Sequence, residues 1–329
     1  MTGGGGIADT DRRWMGSALA LSARGRGRTA PNPNVGCVIV RDGRVVGRGW
    51  TAPGGRPHAE AMALEQAGVA AKGATVYVTL EPCAHESARG PACADLLTAA
   101  RPARVVIGAG DPDPRTDGKG AERLRAAGIS VIEGTRADEA EAMMAGFFTR
   151  QRLGRPHVTL KLATSLDGCI AMADGRSRWI TGDAARAHAH LERARAEMIL
   201  VGRGTLEADA PKLDVRLTGL EDRSPRRAVL TGGKAANGWE SLKSPGDIAA
   251  LDKVDHLLVE GGAATAAAFL AADLVDRLLL YSAPILIGGG RPALGDIGLA
   301  DLSAAHGRWR MTDQRRFDAD SLDVYLRTR

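Results

Sequence analysis

Four side chains in the first half of the sequence are of types that could hold a metal and move a proton. They are His58 and Glu60 in His58-Ala59-Glu60, Cys83 in Glu81-Pro82-Cys83, and Cys93. One imidazole and two thiolates are three good ligands for zinc. A catalytic zinc keeps its fourth position for water and lowers the pKa of that water to about 7. Glu60 lies two residues after His58, so at a helix start it would sit beside the metal without ligating it. There it could take a proton from the water and deliver it to a leaving amine. Hydrolytic removal of an exocyclic amine from a nucleobase needs this H-x-E and P-C combination. The plainer reading is a set of buried cysteines and a satisfied core histidine. A purely structural zinc would want a fourth protein ligand, for which His85 is available, but Glu60 would then have no role.

Such residues need elements to position them. The chain has 329 residues, enough for two domains. Hydrophobic residues make up 44%, charged residues 25% and aromatics 4%, which excludes a disordered chain and gives a core of Ala, Val and Leu. No apolar run approaches the ~18–20 residues of a membrane span, and the start, MTGGGGIADTDRR, carries no apolar stretch of signal-peptide length. Four cysteines, Cys37, Cys83, Cys93 and Cys169, are no disulfide framework at this length, so a cytoplasmic setting is expected. The net charge of +5 is spread: residues 1–150 hold 19 basic against 16 acidic side chains, and the remainder 25 against 23. Only Arg24, Arg26 and Arg28 cluster, whereas a nucleic-acid partner normally needs a concentrated basic face.

The pattern of elements is α/β. Residues 1–9 are expected to be a flexible tail, and residues 11–23 a helix. Val35–Val40 and Arg44–Trp50 read as strands joined by an Asp42-Gly43 hairpin turn. A helix begins near Pro57 and stops at Gly68 or Gly73, and strand Ala74–Leu80 then delivers Pro82-Cys83. Helix Ala92–Ala100, strand Arg104–Ala109, helix Gly120–Ala127, strand Ile129–Ile132 and a helix over 137–150 follow. Gly154-Arg155-Pro156 marks the boundary between domains 1–153 and 154–329. Beyond it come strand His157–Ala163, helix Asp183–Glu197 and strands Met198–Val201, Ala228–Thr231 and Leu257–Glu260. Helix Thr265–Ala272, a strand-rich Arg277–Ile287 and a closing antiparallel pair, Arg308–Thr312 with Leu322–Arg327, complete the chain.

Residues 10–150 resemble the pyrimidine deaminase domain of the bifunctional riboflavin-biosynthesis deaminase/reductase family, with its cytidine-deaminase-like three-layer α/β/α fold. The resemblance rests on Pro31-Asn32-Pro33-Asn34-Val35-Gly36-Cys37-Val38-Ile39-Val40, Pro57-His58-Ala59-Glu60, Val78-Thr79-Leu80-Glu81-Pro82-Cys83-Ala84-His85 and Asp111-Pro112-Asp113-Pro114. Other zinc deaminases usually place their cysteines as C-x-x-C, so the wide Cys83–Cys93 gap points to this family. The resemblance implies that His58, Cys83 and Cys93 bind Zn2+, that Glu60 shuttles protons, and that Asn32 and His85 contact the pyrimidine or its ribose phosphate. Arg89 stands in for a basic residue of the family and would suit a phosphate. The chain departs from the family at Thr51, where a histidine is common, at Asp113, where an asparagine is common, and in one extra residue between the cysteines.

The second half has three Gly turns after strands: Asp167-Gly168, Gly202-Arg203-Gly204-Thr205, and Glu260-Gly261-Gly262. Such turns leave backbone N–H groups free at a helix start and suit a phosphate, although none has the spacing of a dinucleotide fingerprint. Together with Lys161–Gly168, Ser177–Thr181, Thr205–Asp209 and Tyr281–Gly289 they make residues 156–329 resemble the family's reductase domain, which has a dihydrofolate-reductase-like fold. That resemblance implies NADPH contacts from Ala163, Trp179, Thr205, Asp209, and Gly262, Ala263, Ala264, Thr265, Ala266, Ala267 and Ala268. It implies substrate contacts from Lys161, Ser177, Arg193, Leu213, Arg216 and Glu260, with Arg193 and Arg216 as phosphate ligands. Cys169 stands where the family usually has Lys or Arg. The stretch from Arg216 to Val259 is short for the family, with room expected for one strand only. The expected protein is a homo-oligomeric, cytoplasmic enzyme that deaminates a small pyrimidine ribosyl phosphate and reduces its sugar, with no nucleic-acid or membrane partner. The alternative is a zinc nucleoside or nucleobase deaminase with a degenerate, non-catalytic second domain.

Overall fold

The computed structural model describes residues 4–85, 89–233 and 236–329, and the chain divides into two compact units between Gly154 and Arg155. The first unit runs α1 (Gly4–Ser22), β1 (Gly36–Arg41), β2 (Arg44–Trp50), α2 (Ala59–Ala67), β3 (Thr75–Leu80), α3 (Cys93–Ala100), β4 (Arg104–Ala109), α4 (Lys119–Ala126), β5 (Ser130–Ile132), α5 (Ala137–Met143) and α6 (Ala145–Leu153). The sheet order is β2-β1-β3-β4-β5. β1 is antiparallel to β2 and β3, and β3, β4 and β5 are parallel. Asp42 and Gly43 both take positive φ, the twist that a two-residue hairpin needs.

The layering follows from three glycines. A Cβ on Gly36 would lie 2.0 Å from the Ala18 carbonyl of α1, and one on Gly49 would lie 2.3 Å from the Ala59 carbonyl of α2. Gly49 is the cross-strand partner of Cys37, the residue next to Gly36. Successive strand residues point to opposite faces, so α1 and α2 press on opposite sides of the sheet. Gly47 repeats the contact with α2, its Cβ position being 2.1 Å from the Ala63 carbonyl. This is the three-layer α/β/α arrangement.

The second unit runs β6 (His157–Ser165), β7 (Cys169–Ala171), α7 (Asp183–Arg193), β8 (Met198–Gly202), α8 (Arg203–Asp209), β9 (Arg226–Leu230), β10 (Glu240–Leu242), β11 (His256–Val259), α9 (Ala263–Ala271), β12 (Arg277–Ala283), β13 (Arg291–Pro292), β14 (Trp309–Phe317) and β15 (Asp320–Arg327). Its main sheet has the order β10-β9-β8-β11-β6-β12-β15-β14. All pairs from β10 to β12 are parallel, and β15 and β14 close the sheet antiparallel. On β12, Leu279 and Tyr281 pack with Ala185 and Ala189 of α7, while Leu278 and Leu280 join the core containing Phe269 of α9. Helices therefore cover both faces here too.

Four expectations need correction. Residues 4–9, expected as tail, are the first turns of α1. The helix expected over 137–150 is two, broken at Met144 (φ −105°, ψ 23°); Met144, Phe147 and Phe148 are all buried, and the turn between the helices brings both sides of the break to the core. The segment between Arg216 and the strand ending at Val259 (β11) holds two strands, β9 and β10, not one. β10 has only three residues and a single buried side chain, Leu242, too weak a pattern to read from sequence. The strand from Arg277 stops at Ala283, because Pro284 has no N–H to continue the ladder.

The close helix approach predicts that Gly36→Ala and Gly49→Ala each lower the stability of the first unit by about 1–3 kcal/mol. Denaturant unfolding followed by circular dichroism would show it, and a change below about 0.5 kcal/mol would contradict the packing.

Candidate active sites

In the first unit β2, β3 and β4 all run in one direction, so their carboxyl ends share one edge of the sheet, and α2, α3 and α4 begin there. His58 is the N-cap of α2 and Cys93 is the first residue of α3. Cys83 lies in the loop after β3. The ligand atoms of the three all lie within 4.8 Å of one another. His58 Nδ1 is 3.3 Å from Cys93 Sγ and 3.7 Å from Cys83 Sγ. The Cys93 N–H donates to Cys83 Sγ over 3.3 Å. Hydrogen bonding between the two cysteine side chains pulls the Cys83 thiol down against its burial and pushes the Cys93 thiol up, so the pair shares one proton.

The donor set fits zinc: one imidazole nitrogen and two sulfurs converge, and among the described residues no fourth His, Cys, Asp or Glu joins them. His85, the alternative fourth ligand, instead has Nδ1 3.5 Å from the Thr116 hydroxyl. The other His58 nitrogen, Nε2, is 3.0 Å from the Asn32 amide. With Nδ1 facing the sulfurs, Nε2 carries the proton and Asn32 must present its carbonyl oxygen. Asn32 thus orients the His58 ring. Gly55 lies so close to Asn32 that a Cβ would be 2.7 Å from Asn32 Cγ.

Glu60 sits in the first turn of α2 and is 4% exposed. Burial pushes its carboxyl up, and His58 pulls the other way. Arg89 is exposed and donates to the Gly54 carbonyl over 2.8 Å. Residues 86–88, part of the segment between the cysteines, lie outside the described residues. Two departures from the family pattern have structural uses. Thr51 is buried and accepts the Val35 N–H over 3.0 Å. Asp113 is held low by its fork of hydrogen bonds with Arg115.

Sequence reasoning passed over Glu81. Its buried carboxylate accepts the N–H groups of Gly118 (3.0 Å), Gly120 (2.9 Å) and Ala121 (3.1 Å) at the start of α4. A Cβ on Gly120 would lie 2.0 Å from the Pro82 carbonyl. Glu81 and Gly120 together clamp the Glu81-Pro82-Cys83 segment onto the helix. The available signal was an acid placed directly after a strand and before Pro-Cys, where an exposed role is hard to assign.

In the second unit the chemistry gathers at the carboxyl ends of β8, β11 and β6, where ligands of open parallel sheets bind. Cβ positions at Gly202 and Gly261 would lie 2.1 Å and 2.5 Å from Thr265 atoms, and one at Gly262 would lie 3.3 Å from the Thr205 hydroxyl. These glycines let the first turn of α9 approach two strand ends and present its amides, with no acidic residue in that turn. That cradle fits a pyrophosphate and hence NADPH. It covers Gly262 to Thr265; Ala266 already donates to the Gly262 carbonyl, and Ala266 and Ala267 are buried in the core. Ala163 lies on β6, paired with Tyr281. Trp179 is 65% exposed, with Arg186 4.6 Å from its ring centroid. Arg178 donates to the Asp209 carbonyl and ties the segment around Ser177 and Trp179 to the end of α8.

Lys161 stands beside Glu260, one residue beyond the paired Leu160 and Val259. Burial pulls the Lys161 ammonium down and the Glu260 charge resists this. Arg193 forms a two-pronged pair with Glu260, Nε to Oε1 at 2.7 Å and Nη2 to Oε2 at 2.8 Å. Despite burial, this pairing holds Glu260 at about 2. The remaining arm of Arg193 donates to the Asp214 carbonyl. Three of its five N–H donors are thus used within the protein, and Arg193 orients Glu260. Arg216 keeps 59% of its side chain exposed. Leu213 is buried at positive φ (54°) and anchors the loop that carries Arg216.

Comparison with known proteins matches residues 8–109 to the cytidine and deoxycytidylate deaminase zinc-binding region. It matches residues 156–236 and 248–321 to the RibD C-terminal domain. The riboflavin biosynthesis protein RibD of Escherichia coli is 40% identical over 344 residues, covering 90% of this chain and 94% of that protein. The chain belongs to the RibD family. The RibD of Mycobacterium tuberculosis is likewise 40% identical, over 94% of this chain and 95% of that one. Among solved structures, Acinetobacter baumannii RibD superposes with a TM-score of 0.87 at 36% identity, covering 98% of this chain and 100% of that one. The deaminase/reductase of Thermotoga maritima superposes with a TM-score of 0.89 at 32% identity and the same coverage. As a member of that family, the chain is a bifunctional enzyme of riboflavin biosynthesis, a zinc-dependent deaminase joined to an NADPH-dependent reductase. The likeness spans both halves, so a degenerate second domain is not favoured.

The clamp on the zinc loop predicts that Glu81→Gln weakens zinc binding by about 10–100-fold, the usual effect of removing a group that orients ligands. Competition with a chromogenic chelator measures it. Unchanged affinity in a folded variant would refute the role given to Glu81.

Proposed function

We propose that the first half hydrolyses the 2-amino group of 2,5-diamino-6-ribosylamino-4(3H)-pyrimidinone 5′-phosphate, and that the second half then reduces the ribosyl group of the product to ribityl. The observation that carries this reading is the convergence of His58, Cys83 and Cys93 within 4.8 Å beside a buried Glu60, on a chain whose other half carries a Gly-lined cradle.

His58, Cys83 and Cys93 would hold zinc, which supplies the activation of a water for attack on the ring carbon. Glu60 accepts a proton at its carboxylate and returns it to the departing ammonia. The raised carboxyl of Glu60 suits that exchange. Asn32, His85 and Arg89 face the pyrimidine or its ribose phosphate, and Asn32 also orients His58.

In the second half, Ala163, Ser177, Trp179, Thr205, Asp209 and the first turn of α9 would seat NADPH and substrate, and NADPH supplies the hydride. Lys161 and Glu260 hold the sugar end, and Arg216 takes the phosphate with its forked donors. Hydride transfer then depends chiefly on position.

The setting is cytoplasmic in this reading, because two of the four free cysteines serve as thiolates and a reducing compartment preserves them. The long exposed edge strand β14 offers a pairing edge for a homo-oligomer. The partner is a small anionic substrate rather than nucleic acid, in keeping with a net charge of +5 that is spread along the chain.

Incubation with the diaminopyrimidine phosphate, with and without NADPH, separates the steps by product mass. Deaminated product alone is expected without NADPH, and ribityl product with it. Reduction without deamination would overturn the order. Glu60→Gln should keep about one zinc per chain and lose deamination by about 10³-fold or more, while the reductase half still acts on deaminated substrate. No NADPH binding at millimolar concentration would sink the reductase assignment.

A further inference from the structure

We propose that His190 is a positioning residue of the reductase site, whose imidazole aims the Arg216 guanidinium at the substrate's phosphate. The inference rests on the reading of Arg216 as the phosphate ligand. His190 lies in the last turn of α7 and is 9% exposed, beneath the exposed arm of Arg216. His190 Nδ1 is 3.0 Å from the Asp214 carbonyl, and Nε2 is 3.2 Å from Arg216 Nη2. A carbonyl only accepts and a guanidinium only donates, so one tautomer satisfies both contacts: Nδ1 carries the proton and Nε2 is the acceptor. The Arg216 backbone N–H also points at Nδ1, at 3.3 Å, but accepting it there would turn an Nε2–H against the guanidinium.

The imidazole thus fixes the loop at Asp214 and orients the side chain two residues on. The same Asp214 carbonyl accepts from Arg193, which grips Glu260. A continuous chain of hydrogen bonds therefore links the sugar end of the site, at Glu260, to the phosphate end, at Arg216.

This arrangement requires a neutral His190. The charged groups facing it are Arg193 on its own helix, Asp214 and Arg216 on the loop, and Glu260 after β11. Burial and then the two arginines pull its pKa below the usual histidine range, against the Asp214 carbonyl and Glu260. At pH 7 the acceptor is in place. As pH falls through the depressed pKa, Nε2 gains a proton, the acceptor is lost, and an imidazolium faces a guanidinium. Binding should weaken toward acid while the hydride step is spared.

The test measures binding of deaminated substrate by calorimetry without NADPH, and kcat and KM with it, between pH 5.5 and 8.5. His190→Gln places an amide oxygen near the Nε2 position and does not titrate. It should bind within about threefold of wild type at pH 8 and lose part of the acid weakening. The substrate's own phosphate titrates near pH 6 in every variant, so the difference between the two profiles is the readout. His190→Leu should raise Kd and KM about tenfold at pH 8 and leave kcat within about threefold, with deamination by the same chain reporting an intact fold. In an Arg216→Gln background, His190→Leu should add little. Equal effects in both backgrounds, or a His190→Gln profile identical to wild type, would overturn the proposal. Arg216→Gln with unchanged Kd would instead remove the reading beneath it.

Discussion

Parallel strand pairing is the constraint on which both halves depend. Strands that run the same way must be joined by crossovers, and each crossover starts a helix at the same edge of the sheet. In the first unit this brings the starts of α2, α3 and α4 together beside the end of β3, so His58, Cys83 and Cys93 converge from separate segments of chain. In the second unit the same rule brings Gly202, Glu260 and the start of α9 to one edge. The glycines that let helix backbone press against strands set how close these groups come.

Much of the buried charge near these sites is tied to partners within the protein. Glu81 is occupied by the amides of α4, and Arg193 is occupied by Glu260. Asp276 likewise holds Arg155 at the start of the second unit and Arg329 at its end, over 2.7 Å and 2.6 Å, and accepts the Val158 N–H. Breaking a buried pair of this kind leaves an uncompensated charge and typically costs about 3–5 kcal/mol.

The sequence was most legible where a motif also marks an element boundary. Pro57-His58-Ala59-Glu60 combines ligand, cap and first turn, and Asp42-Gly43 can only be a tight hairpin. It was least legible where a side chain's role depends on what lies across the fold. That Arg193 pairs with Glu260 depends on how α7 packs beside the end of β11, which neither segment of sequence shows by itself. β10 and the break at Met144 were missed because three strand residues or one kinked residue leave no periodic signal.

The sequence by itself determined the chemistry on offer: residue types, their order, and the glycines and prolines that punctuate the strands. That was enough to specify two α/β units, a His/Cys/Cys set with an adjoining acid, and Gly turns suited to phosphate. Only the tertiary structure decided which partner each charged group takes. Hydrogen bonds form between groups that folding brings within about 3 Å, and residues such as His190 and Arg216, or Glu81 and Gly120, have no relation until the helices dock against the sheet.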